Sequence, residues 1–199
     1  MSDLAPRSGL AGLAVPGHFG VAGAPGIVLS ERRGLALATV LARKGRQDAL
    51  VRRVQETFGL ALPAAPRRVA AGGTAFVWTG PGHWLAVSEP EEGHRFEARL
   101  RESLGGLASV SDQSDGRVVI RISGARARDA LAKGLPLDLH QRAFTAGHAA
   151  STIAAHIGVQ IWQVDDAPTY ELAMFRGFAA SFWHWLMESS AEFGVRIEG

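Results

Sequence analysis

Apolar positions recur along this chain with two periods, and each period marks a different kind of element. Between Arg46 and Leu60, the residues Leu50, Val51, Val54 and Phe58 return at helical spacing, while Arg52, Arg53 and Glu56 lie away from them. That pattern predicts an amphipathic helix. Glu91 to Leu104 repeats it with Phe96, Leu100 and Leu104 facing inward. A last helix is predicted from Gly177 to Phe193. There Phe178, Phe182, Trp185, Leu186 and Phe193 form one stripe and are expected in the core, whereas Trp183 and Met187 project off it. Elsewhere the period is two. Ile157, Val159 and Ile161 alternate with Gly158, Gln160 and Trp162, and Tyr170, Leu172 and Met174 with Glu171, Ala173 and Phe175. These are strands, joined by a turn at Asp165 to Pro168. Leu35 to Leu41 reads as another strand. Ala75 to Trp78 and Trp84 to Ser88, either side of Thr79-Gly80-Pro81-Gly82, predict a hairpin.

The remaining elements are arranged around Arg117 to Leu139. Val118, Val119, Ile120 and Ile122 suit a half-buried strand, and Ser123-Gly124 breaks it. Ala125 to Lys133 is rich in helix formers; Gly134 stops the helix and Pro136 prevents its resumption. Ala127 and Ala130 give that helix a face slim enough to lie close to a sheet.

The order strand, helix, strand, turn, strand, helix thus occurs twice, at about residues 35–104 and 116–195. Arg46 to Leu50 (RQDAL) also resembles Ala127 to Leu131 (ARDAL). The fold class that follows is α+β, with duplicated halves whose mainly antiparallel sheets share one core in a single domain over residues 31–199. Residues 1–30 are rich in Gly, Ala and Pro and are expected as an arm outside that domain. The arm carries Leu10, Leu13, Val15, Phe19 and Val21. It is either disordered or docks on a partner.

Composition narrows the function classes more than it names one. With no cysteine among 199 residues, disulfides, thiol nucleophiles and thiolate metal sites are excluded. The opening MSDLAPRSG lacks a secretory pattern, and no apolar run approaches the ~18 residues of a membrane span, so a cytoplasmic protein is expected. The pI of 9.6 suggests nucleic acid, but the net charge is only +2 and the arginine pairs are scattered among acids. Neither nucleic acid nor membrane is an expected partner.

Catalytic patterns are equally sparse. There is no phosphate loop, no GxGxxG after a strand, and no GxSxG elbow. His83, His140, His148, His156 and His184 fall on separate elements without ligand spacing, and Asp112 and Asp115 read as turn formers. No catalytic, cofactor-binding or metal-binding residue is predicted. Large apolar groups off a buried face mark protein contacts, which makes Trp183, Met187, Leu13 and Phe19 the interface candidates.

Three stretches carry a resemblance. VWTGPGHWLAV (77–87), GRVVIRISGARARDALAKGLPLDLHQRAF (116–144) and YELAMFRGFAASFWHWLMESSAEFG (170–194) resemble the gamma subunits of heterotetrameric sarcosine oxidases, in order and with matching spacing from about Arg33 to Gly194. The resemblance implies a fold similar to the folate-binding region of aminomethyltransferases. It implies membership of a complex that demethylates sarcosine to glycine, with FAD, FMN, NAD and tetrahydrofolate on the alpha and beta subunits and zinc on delta. The gamma chain carries no cofactor in that family. Asp138 sits in the Pro-Leu-Asp-Leu exit, where a turn role is expected, so no catalytic residue is carried over. The alternative is a stand-alone folate-dependent one-carbon transfer protein.

Overall fold

The computed structural model describes residues 8–199, and the first seven residues of the expected arm lie outside them. The chain begins with β1 (Gly17–Phe19) and β2 (Ile27–Glu31), followed by β3 (Ala36–Ala42) and α1 (Gln47–Phe58). Three strands come next, β4 (Arg68–Ala71), β5 (Thr74–Gly80) and β6 (His83–Ser88), then α2 (Gly93–Leu104) and β7 (Ala108–Asp112). The second pass holds β8 (Arg117–Ser123), α3 (Ala127–Ala132), β9 (Ala149–Ala154), β10 (Ile157–Asp165) and β11 (Thr169–Phe175). It ends with α4 (Ala179–Ser190) and β12 (Val195–Glu198).

The strands form two sheets. One has five strands in the order β4-β5-β6-β3-β7, the other seven in the order β1-β12-β2-β8-β11-β10-β9. The shared run is plain: β4-β5-β6-β3 in one sheet has the same succession as β9-β10-β11-β8 in the other. Every pairing is antiparallel except β12 with β2. The protein is α+β with mainly antiparallel sheets.

Strand parity sorts the apolar residues into three layers. Phe76, Trp84, Ala86 and Val40 turn outward from the five-stranded sheet onto Leu50 and Val54 of α1 and Phe96 and Leu100 of α2. Leu37, Val77, Leu85 and Val87 turn the other way and meet Val119, Trp162 and Ala173 between the sheets. Val118, Ile120, Ile122, Leu172 and Met174 face α3 and α4. The order is helices, sheet, sheet, helices. Each fully buried Leu, Ile or Phe in these layers contributes roughly 1.5–3 kcal/mol.

Two expectations are corrected. Residues 8–30 are not a separate arm: Leu10 and Ala14 are buried in the core of the second half, β1 pairs with β12, and β2 lies inside the seven-stranded sheet. The alternation of Ile27 and Leu29 is too short to show among so many Gly, Ala and Pro. In α4, Trp183 is only 4% exposed and lies in the core, while Phe178 is 53% exposed. The physical reason is a change of phase. Arg176–Phe178 is a 3-10 turn, so the helical stripe starts at Ala179 and runs through Phe182, Trp183 and Leu186. Trp185 and Met187 are partly buried at its margin.

Gly134 does more than end α3. A Cβ there would stand 2.4 Å from Cζ2 of Trp185, so the close approach of the α3 exit to α4 requires glycine.

Candidate functional site

Glu171 interrupts the apolar strand β11, and its parity with Ala173 points its carboxylate between the sheets. The register sets Arg121 of β8 on one side of it and Trp162 of β10 on the other. Arg121 donates to Oε1 from Nε at 3.0 Å and from Nη2 at 2.6 Å. Arg32, just beyond β2, donates to the same oxygen from Nε at 2.9 Å. The Trp162 indole N–H donates to Oε2 at 2.8 Å. Arg32 then extends its Nη2 to Glu89, after β6, at 2.5 Å. Arg68 of β4 is pushed below its ordinary pKa, chiefly by burial, with Glu171 and Glu89 acting in the opposite sense. The cluster therefore ties both sheets and the segment after β2 at one end of the interlayer. With four charge-assisted or N–H donors on its two oxygens, Glu171 is built as a strut rather than as a proton acceptor for a substrate.

Other polar groups singled out by sequence serve local turns. Asp138 Oδ1 accepts from the His140 amide at 2.9 Å, and Asp112 Oδ1 from the Ser114 amide at 2.8 Å. His148 Nδ1 accepts from the Thr145 amide at 2.9 Å, and His184 lies 3.1 Å from Glu188 one helical turn away. Among the described residues, no group of three or more His, Asp or Glu is placed to hold a metal ion. Nor is any helix there long and apolar enough to cross a membrane.

The four interface candidates do not form one surface. Leu13 and Phe19 are exposed, at 45% and 39%, on the segment leading into and through β1. Trp183 is in the core and Met187 is partly buried against it, so both help to position α4. Ile153, Phe175 and Phe178 are exposed apolar groups that periodicity missed. They border a groove of about 570 Å³ that also takes in Arg117, Gly158 and Gln160. A second cleft of about 290 Å³, which Arg117 also lines, includes Glu31, Arg32, Arg33 and Arg176. The Glu171 cluster was also missed, yet it had a signal: Glu171 and Arg121 are charges on the inward faces of mostly apolar strands.

Comparison with known proteins gives a consistent answer. Residues 44–192 match the sarcosine oxidase, gamma subunit family. A sarcosine oxidase subunit gamma from Arthrobacter sp. is 37% identical over 138 residues, covering 68% of this chain and 66% of that protein. One from Corynebacterium sp. strain P-1 is 36% identical over 141 residues, covering 69% and 68%. The matched region thus spans about two thirds of these relatives' length. Among solved structures, the heterotetrameric sarcosine oxidase from Corynebacterium sp. U-96, in complex with pyrrole 2-carboxylate, includes a chain superposing with a TM-score of 0.79. That likeness, at 30% identity, covers 94% of this chain and 96% of the other. The glycine cleavage system aminomethyltransferase T from Bartonella henselae shares the fold alone, with a TM-score of 0.62 at 14% identity over 86% of this chain and 47% of that one. With a family match over residues 44–192 and a superposition along nearly its whole length, the chain belongs to the sarcosine oxidase gamma subunit family.

Proposed function

We propose that this chain acts as the gamma subunit of a sarcosine oxidase assembly, in which sarcosine is oxidatively demethylated to glycine. Its part is structural. The alpha, beta and delta subunits are its partners, and FAD, FMN, NAD and tetrahydrofolate are carried on subunits other than this one. The observation that carries this reading is the superposition, over 94% of the chain, on a chain of a heterotetrameric sarcosine oxidase. The Glu171 cluster supports the structural part, because the most elaborate set of charges among the described residues is consumed in bracing one sheet against the other. Leu13 and Phe19, exposed beside the sheet edge at β1, are proposed as contacts to a partner subunit.

Co-expression with the other three subunits, followed by size-exclusion chromatography and a sarcosine-dependent peroxide assay, tests the proposal. The chain should co-elute with the assembly, show no turnover alone, and lower the yield or stability of the assembly when omitted. Elution apart from fully active partner subunits would refute it.

A further inference from the structure

The inward face of the seven-stranded sheet extends past the five-stranded sheet that covers it. Its side chains stand in cross-strand rows. Ala149, Trp162, Glu171 and Arg121 make a covered row. Ser151, Gln160, Ala173 and Val119 make the next, where the Ser151 hydroxyl donates to the Thr79 carbonyl of β5 at 3.1 Å. One step further, Ile153 pairs with Gly158 and Phe175 with Arg117. Here the cover has ended, and Ile153 and Phe175 are 50% and 52% exposed.

That last row has the form of a socket. Gly158 supplies no side chain, and a Cβ built on it meets nothing within 4 Å. Ile153, Phe175 and Phe178 wall the resulting groove, and Arg117 is the one charged residue among those lining it. Arg117 is held in place: Nη1 donates to Gln160 Oε1 at 2.6 Å, and the guanidinium lies 4.5 Å from the centre of the Phe175 ring. No ion pair to a carboxylate is formed by Arg117 among the described residues, and its Nε is buried without an acceptor. Burial pushes its pKa down. A half-buried cation that pairs with no carboxylate among the described residues, set in an apolar rim, is costly in the isolated chain and is complementary to a carboxylate brought from outside.

We infer that this groove receives another subunit of the assembly, which seats an apolar side chain over Gly158 and places a neighbouring carboxylate on Arg117. The inference rests on the reading of the chain as an assembly subunit. Exposed aromatic groups and an arginine are the residue types that dominate binding energy at protein interfaces, and glycine provides the pocket into which an anchor fits.

Two variants test it in the co-expressed complex. Gly158→Ile fills the socket with a residue suited to a strand, at a position with open space, so the fold should persist by circular dichroism and thermal unfolding. Arg117→Glu reverses the charge. Each should weaken association with the partner subunits about 30-fold or more, as expected for loss of a central contact, while Arg52→Glu on the exposed face of α1 leaves it unchanged. If wild-type chain joins the assembly and Gly158→Ile joins it equally well, the socket is wrong and the subunit reading stands. If wild-type chain does not join, both fall. If the isolated chain forms a dimer that Gly158→Ile abolishes while assembly is unaffected, the occupant is a second copy, and the inference is overturned.

Discussion

Replacing Glu171 with alanine would leave the guanidiniums of Arg32 and Arg121 facing each other between the sheets without the carboxylate that joins them. Removing one partner of such a buried set costs about 3 kcal/mol. The urea midpoint of Glu171→Ala should fall accordingly, with Glu171→Gln falling less because it keeps an acceptor for Trp162. Acid should act at Glu91. Hydrogen bonding from Arg99 holds that carboxyl below its ordinary value of 4.5. A depressed folded pKa stabilises the protein above the ordinary value, and this contribution is lost as pH falls through the folded one. Thermal midpoints should therefore drop on acidification below pH 4.5. In Arg99→Met that part of the drop should shrink. The β9–β10 turn offers a gain instead. Ala155 and His156 sit at φ of 47° and 68°, where side chains are strained. Changing the pair to Asn-Gly, the sequence such a turn favours, should raise unfolding free energy by about 1 kcal/mol in denaturant titration.

Elements with a full period and a clear stop were legible in the sequence. The stripes of α1 and α2 predict those helices, and the alternation of β10 and β11 predicts strands. Six short strands escaped for physical reasons, β1 and β2 because they lie among so many Gly, Ala and Pro. β9 is mostly alanine, serine and threonine, whose burial contrast is weak, and β4 has no residue fully buried. β7 and β12 do alternate, with Ala108 and Val110 or Val195 and Ile197 inward, but over too few residues to stand out. The phase of α4 is not legible in the sequence because Phe178 belongs to the turn before the helix and cannot share its periodicity. The groove and the ionic cluster were less legible, since both depend on where one sheet ends over another. Contact between elements also sets a limit on substitution. Gly134→Ala would push a methyl group into the Trp185 ring, and overpacking of this kind costs about 1–3 kcal/mol. A lowered melting temperature with shifted tryptophan emission would record it.

Across the whole molecule, the two sheets are held by the apolar layer at Val77, Leu85, Val119 and Trp162, and by the charges at one end of it. β12 adds a different kind of closure. Its four residues lie between β1 and β2, pairing Val195 with Ile27 on one side and with Phe19 on the other. Removing residues 195–199 should free residues 8–26 from the sheet edge, which limited proteolysis would detect as rapid cleavage there while the remainder stays resistant. The same arrangement bears on synthesis. On the ribosome, β1 emerges early and yet finds no neighbour, because the strand it pairs with is translated after every other element described. The segment that carries β1 cannot join the sheet until Val195–Glu198 has been made.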